Sequence, residues 1–431
     1  MTALAGLNSI KRTLGQRNFR IYLIGSSISL VGTWIHRIAI GWLTWQLTHS
    51  FIWLGAVGAA ELAPTVLLGP LAGAIADRFN RQYIAIFSQG LACLQAVALA
   101  FLVALDLVTP WVLLGLTLVV GVAFSFGTMA RLTIFPMLVE RSHLPSAIAI
   151  NAAFFNLARF LGPAFGGALI AAWGVGIAFA LNALSFIAFM IALSRLRIVV
   201  REGGEASRRG LLADVAEGLR YALRHPGIGP VLGVLAGLSV GVKGLPELLP
   251  GFVDVVFGRG VEAFAALTAA MGIGAAVAAF WAAGRGRMEG LSVINVASLV
   301  GAGLSVVVFA ATGIYWLGLV CMFLMGAFLT VVGTSSQALM QNAVEGAMRG
   351  RVMSLYGLLF RGGPALSALI CGVLAELIGL QITLVLSAAV AALTGMMLFR
   401  RRQAMAESLE GEPPAAQIQD RQAAPRDQAK P

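Results

Sequence analysis

Charge is what this chain has least of. Charged residues make up 11% of its 431 positions, where a soluble globular protein carries roughly 25%. So few charges cannot cover a water-facing surface. With 59% hydrophobic residues and a mean hydropathy of +0.88, the soluble classes are excluded. Cysteine is almost missing: Cys93, Cys321 and Cys371 are odd in number and all lie in apolar stretches, so no disulfide framework is expected. There is no Gly-Lys pair anywhere, and a phosphate loop ends in Gly-Lys-Ser/Thr, so an ATP-driven pump is excluded. Histidine is confined to His36, His49, His143 and His225, scattered without ligand spacing. Neither a metal centre nor a catalytic constellation is expected, and the chain reads as a non-enzyme without cofactor.

Apolar segments long enough to cross a bilayer, about 20 residues each, fall near 21–47, 52–76, 83–105, 110–130, 147–172, 176–194, 228–250, 262–284, 291–311, 316–338, 352–378 and 381–399. The expected fold is therefore all-α and integral to the membrane, with the lipid bilayer as its surroundings. The net charge of +11 sits in short basic runs between these segments, as cytoplasmic loops do, and so argues against a nucleic-acid partner. Lys11, Arg12, Arg17 and Arg20 precede the first span, and Arg195, Arg197, Arg201, Arg208, Arg209, Arg220 and Arg224 follow the sixth. Both termini are expected in the cytoplasm, with Arg259 the only loop cation on the opposite face. Trp45, Trp53, Trp111, Trp173 and Trp316 are expected at the outer ends of spans as an interfacial belt.

The one long internal break divides the chain. We expect a cytoplasmic segment over 1–20, a six-helix bundle over 21–194, a linker over 195–227, a second bundle over 228–399 and a disordered tail over 400–431. Within the linker, Leu211, Leu212, Val215, Leu219, Ala222 and Leu223 recur at helical spacing, with Asp214, Glu217, Arg220 and Arg224 opposite. This is an amphipathic helix, lying on the membrane or against the bundle. The bundles echo each other: Arg159-Phe-Leu-Gly-Pro in span five returns as Arg361-Gly-Gly-Pro in span eleven. A parallel repeat of six spans is the architecture of alternating-access carriers, with substrate held between the halves. Small residues such as Gly69-x-x-x-Gly73 are expected at close helix contacts.

Gly73-Ala-Ile-Ala-Asp77-Arg78-Phe-Asn-Arg81, between spans two and three, resembles the loop signature of the major facilitator superfamily, with Asn80 where the pattern usually has glycine. The resemblance implies two six-helix pseudo-repeats, monomers, and a conformational switch in which the aspartate braces a helix terminus and a basic residue of span eleven. Arg349 and Arg351 are the candidates for that basic residue. Gly162-Pro163-Ala-Phe-Gly166-Gly167 is similar to the span-five signature of drug:proton antiporters. Arg349-Gly350-Arg351-Val352-Met353-Ser354 and Glu247-Leu248-Leu249-Pro250 resemble a subgroup that holds macrolide-type and siderophore exporters. Span four carries no charge before Arg131.

A charge at mid-membrane costs about 2.5–3.5 kcal/mol, so each one is a functional hypothesis. Arg37, Glu61, Arg159, Lys243, Glu247 and Arg361 lie inside spans. At a rise of roughly 1.5 Å per residue, Arg37 and Glu61 fall within about 5 Å of the midplane. They are expected to pair, either as a structural pin or as part of the site. Lys243 and Glu247 are four apart and are expected to pair on one helix face, although Pro246 distorts it. Arg159 is left either to carbonyls near Gly162-Pro163 and to Asn156, or, with Arg361, to a substrate anion. Trp34 and Trp42 read as packing, and His36 as accommodated in its helix. The expected substrate site is thus Arg37, Asn156, Arg159, Lys243 and Arg361, with Glu61 and Glu247 for proton coupling. Gly73, Asp77, Arg78, Arg81, Gly162, Pro163 and Arg351 are the expected conformational elements. The function expected is proton-coupled efflux of an amphipathic or anionic small molecule across a bacterial inner membrane. A proton-coupled importer of organic anions and a lipid flippase are the alternatives.

Overall fold

A computed structural model describes residues 2–198, 211–346 and 348–411, with backbone only at 2–8, 77 and 211–216. The first half is built from α1 (Thr2–Gly15), α2 (Arg17–Thr48), α3 (Phe51–Leu67), α4 (Gly69–Arg78), α5 (Arg81–Ala104), α6 (Pro110–Ile134), α7 (Leu144–Trp173) and α8 (Val175–Ser194). The linker helix α9 (Leu211–Arg224) leads to α10 (Ile228–Gly241), α11 (Leu245–Phe257), α12 (Val261–Arg285), α13 (Leu291–Ala311), α14 (Tyr315–Ala343), α15 (Arg349–Gly357), α16 (Gly363–Ile378), α17 (Leu380–Phe399) and α18 (Arg402–Leu409). Among the described residues eleven helices, some interrupted, are long and apolar enough to span a membrane, and the bent pair α3–α4 makes the twelfth.

The breaks have local causes. Pro64 inside α3 precedes the 49° bend to α4. Residues 242–244 interrupt α10–α11 ahead of Pro246. A π-helical turn at Leu358–Gly362 interrupts α15–α16 ahead of Pro364. Proline removes one backbone donor and crowds the preceding turn, which accounts for these positions. The turns into the last helix of each half are built alike, on Gly174 (φ 80°) and Gly379 (φ 90°). A side chain is strained at such φ, so the repeat is visible in backbone geometry as well as in sequence. Asn80, the departure from the loop pattern, has its own use: its side chain accepts from the Gln82 and Tyr83 amides and caps α5.

The halves meet along α3 against α16 and α7 against α12. Glycine permits this approach. A Cβ at Gly372 would lie 2.6 Å from the Phe51 carbonyl oxygen, and one at Gly272 would lie 2.7 Å from that of Arg159. Gly69 and Gly73, expected at such a contact, have nothing within 4 Å of an added Cβ. Their spacing is right, but their face is not turned to another helix.

At the end of the bundle remote from the chain termini, the halves are tied by carboxylates of the second half. Trp45 Nε1 donates to Asp254 at 2.8 Å, and the Phe51 amide and Ser50 hydroxyl donate to Glu376 at 3.1 and 3.4 Å. Trp45 is 3% exposed, a correction to its place in the interfacial belt: its indole is used between the halves. Trp111, Trp173 and Trp316 are exposed as a belt requires.

At the opposite end, α9 packs on α15. Gly218 lies against Arg351, and Glu217 pairs with Arg351 at 3.0 Å. The sequence-based tail also needs correction, because 402–409 are helical. Met405 and Leu409 are buried, Asn342 donates to the Leu409 carbonyl, and the Glu410 carboxylate accepts from the Gly290 and Ser292 amides at 2.6 and 2.7 Å. The start of α13 has no acid of its own, so Glu410 supplies the missing cap. Residues 412–431 of the expected tail lie outside the described residues.

Two outcomes are expected. A Trp45→Phe/Glu376→Ala variant loses three hydrogen bonds to carboxylates, each worth about 1.5–3 kcal/mol. The distance between spin labels at exposed Leu107 and Gly313, one on each half, should gain a longer population. An unchanged distribution means that glycine packing alone holds that end shut. Glu410→Ala should lower the melting temperature in detergent by the loss of a cap worth about 1 kcal/mol. A variant that melts like the parent assigns the cap no stabilising role.

Candidate functional site

Between the halves lie two neighbouring cavities. The inner chamber, about 180 Å³, is walled by Trp34, Ile38, Leu249, Pro250, Phe264 and Met271, with Arg37, Lys243, Glu247 and Thr268 at its polar edge. The vestibule, about 850 Å³, is lined toward the end that carries the termini by Asn156, Thr330, Gln337, Tyr356, Phe360 and Arg361. Arg159 and Leu329 line both. They form the neck.

Arg37 is the centre of the chamber's charge. It projects from mid-α2, where Nη2 meets Glu247 Oε1 at 2.6 Å and Nε lies 3.7 Å from Glu61 Oε2. The expected Arg37–Glu61 pair is present but is the longer of the two. The expected Lys243–Glu247 pair is replaced. Residues 242–244 are not helical, so the spacing of four does not put both side chains on one face. Glu247 instead crosses to the other half, where Gly58 makes room: a Cβ there would lie 2.9 Å from Glu247 Oε2. Lys243, 7% exposed, donates to the Phe360 carbonyl and sits 3.4 Å from the Phe360 ring centroid. The break in α15–α16 presents that carbonyl, because a π-turn displaces the helical hydrogen-bond register.

Arg159 has a different environment. Its guanidinium lies 5.9 Å from the Trp34 ring centroid, on which the Arg37 guanidinium also rests at 5.7 Å. Its Nε is buried without a hydrogen-bond partner. Asn156 does not hold it, because Asn156 Nδ2 donates to Ala152 one turn back. Gly162 lets α7 close on α2 behind Trp34, and Pro163 is buried within an unbroken helix. Arg361 is exposed on the vestibule wall within the π-turn.

The loop-signature residues lie away from these cavities. Gly73 is in α4, Arg78 is exposed, Arg81 Nε donates to the Ala76 carbonyl at 3.2 Å, and the Asp77 side chain lies outside the described residues. Sequence reasoning missed Trp34 and Phe360 as parts of the site. Trp34 carried a usable signal, since it stands one turn before Arg37. His36, read as accommodated, is buried with both ring nitrogens unpartnered and packs edge-on against Phe179 at 5.0 Å.

Comparison with known proteins agrees with this geometry. The chain is 27% identical over 407 residues to the uncharacterized MFS-type transporter YfiS of Bacillus subtilis, covering 86% of this chain and 93% of that one. It is 26% identical over 373 residues to the enterobactin exporter EntS of Citrobacter koseri, covering 86% and 88%. The crystal structure of a POT family transporter in complex with 5-aminolevulinic acid superposes with a TM-score of 0.72 at 11% identity, over 90% of this chain and 97% of that one. At that identity the likeness is one of fold. The fold is thus shared with membrane transporters, and the relatives are transporters rather than enzymes. Residues 10–425 match the family described as transmembrane secretion effectors, and the chain belongs to that family of major facilitator-type membrane transporters.

Proposed function

We propose that the protein exports an amphipathic or anionic small molecule, drug- or siderophore-like, across a bacterial inner membrane in exchange for protons. It works by alternating access, as a monomer with both termini in the cytoplasm. The observation that carries this reading is Arg37 shared between Glu61 of its own half and Glu247 of the other, beside a cavity open toward the termini. Export is supported by the likeness to the enterobactin exporter. The far-end ties through Asp254 and Glu376 and the wide vestibule suit a state loaded from the cytoplasm.

In this reading Arg37 is a handle with two holders. Glu61, the more loosely held acid, is the proton carrier. Protonated, it leaves Arg37 to Glu247 alone. Ionised, it competes for the guanidinium and weakens the tie between the halves. Only the relative strength of two short-range interactions changes, and the low-dielectric interior makes each of them large. Arg351, held by Glu217 of the linker helix, belongs to the closure at the cytoplasmic end, with the Gly73–Arg81 loop. Gly162 and Pro163 set the packing of α7 on which Arg159 is carried.

The cargo is identified by mass spectrometry of cells and medium from the parent, a deletion strain and a Glu61→Gln strain. A compound retained inside the deletion strain and missing from its medium establishes export. The same compound left unused in the medium establishes uptake instead. In proteoliposomes, Glu61→Gln should lower proton-driven transport of that compound at least tenfold while leaving its Kd within about threefold. Full gradient-driven transport in Glu61→Gln removes Glu61 from the coupling scheme.

The ion pair itself makes a stability prediction. Arg37 and Glu247 are 32% and 14% exposed, so removing one partner should cost less than the about 3–5 kcal/mol of a fully buried pair, whereas replacing both is often close to neutral. Arg37→Gln should melt well below the parent, and Arg37→Gln/Glu247→Gln should recover much of the loss. A double variant as unstable as the single one means that Glu247 is not the principal partner.

A further inference from the structure

Resting on the carrier reading above, we propose that the neck at Arg159 is an anion site and that the cargo is an aromatic acid. Its carboxylate is held by the Arg159 guanidinium while its flat apolar part lies in the chamber against Trp34. Charge accounting comes first. Arg37, Lys243 and Arg159 bring three cations to the chamber and neck, and Glu61 and Glu247 bring two carboxylates. Both carboxylates are taken by Arg37. Lys243 is spent on the carbonyl and ring of Phe360. Arg159 makes no ion pair or side-chain hydrogen bond among the described residues, and its Nε is buried and unpartnered. One negative charge is therefore missing, and the place for it is the neck.

The form of the missing group follows from the donor. A guanidinium presents its N–H groups as a planar fork that matches a carboxylate or phosphate with two parallel hydrogen bonds. A cationic cargo would meet three positive groups and no unshared acid. The rest of the ligand is defined by the chamber walls. Beyond the neck these are indole and phenyl faces, proline rings and aliphatic carbons: Trp34, Phe264, Pro250, Leu249 and Met271. Thr268, the neutral polar side chain there, already donates to the Phe264 carbonyl. A ring gains contact with these faces at little entropic cost, and it needs no hydrogen bonds that the chamber cannot supply. The 850 Å³ vestibule accepts whatever larger body the acid is attached to, which lets a family of molecules share one recognition element.

The test uses purified full-length protein in detergent and three isosteric probes: 1-naphthoate, 1-naphthylmethanol and 1-naphthylmethylammonium. Binding is read by thermophoresis and by the shift in melting temperature. Naphthoate is expected to bind at least tenfold more tightly than the alcohol, and the ammonium more weakly than either. Arg159→Gln should abolish the preference for the acid without changing the alcohol's Kd more than threefold. Arg159→Lys, which keeps the charge but loses the fork, should keep part of it, and Arg361→Gln most of it. Octanoate should bind more weakly than naphthoate, and Trp34→Leu should reduce that difference. The proposal is overturned if the ammonium matches the acid, if no probe binds, or if Arg159→Gln leaves naphthoate binding unchanged. Should Arg159→Gln fail to fold, the Arg159→Lys comparison decides: equal naphthoate affinity in parent and variant rejects the fork. A compound still exported in the cell experiment after any of these failures leaves the carrier reading standing and removes only the acid class.

Discussion

One guanidinium serves two carboxylates, and much of the structure is arranged around that. A cation at mid-membrane is costly, and Arg37 is met from both sides: at 2.6 Å by Glu247 across the interface and at 3.7 Å by Glu61 within its own half. The shorter contact joins the two bundles at mid-membrane, where they otherwise meet through glycine-lined grooves; the ties through Asp254 and Glu376 lie at the far end. Packing at glycine is close but gives no preference for one relative orientation over another that buries the same area. The ion pair supplies such a preference, since its 2.6 Å contact requires the two halves to sit in this orientation.

Broken helices let the site exist. An unbroken span would occupy its own carbonyls and leave nothing for Lys243. The interruption at 242–244 frees Lys243 from helical geometry, and the π-turn at Leu358–Gly362 offers the Phe360 carbonyl to it. Irregular backbone at membrane depth is tolerated where it lines a protein cavity, and both of these breaks do. Charges that would be costly in lipid thus become cavity walls, and Arg159 is the one among them left with a buried, unpartnered Nε.

The spans, the two-fold repeat and the set of charged residues were all legible in the amino-acid sequence, because hydropathy and charge report depth in the bilayer directly. Partnership was less legible. Lys243 and Glu247 are four apart, and the helical rule pairs them; the chain leaves the helix at that place, and Glu247 finds an arginine 210 residues away. No local spacing encodes such a contact. Trp45 was misplaced for a related reason, since hydropathy gives height along a span but not which way round it a side chain faces. The helix at 402–409 was overlooked beside the Pro- and Gln-rich residues that follow, although Met405 and Leu409 are four apart and both face inward. Gly69 and Gly73 failed in the opposite direction, having the spacing of a contact without the neighbour.

Among the described residues, the hydrogen bonds from Arg37, Trp45, Ser50 and Phe51 across the seam run one way. Glu247, Asp254 and Glu376 accept from the second half, and Arg37, Trp45, Ser50 and Phe51 donate from the first. Two identical six-helix units related by a two-fold axis would repeat every donor–acid contact with the roles exchanged. A seam that runs one way requires two unlike halves, so the two bundles are complementary rather than interchangeable. The repeat sets the architecture, and the departures from it supply the adhesion.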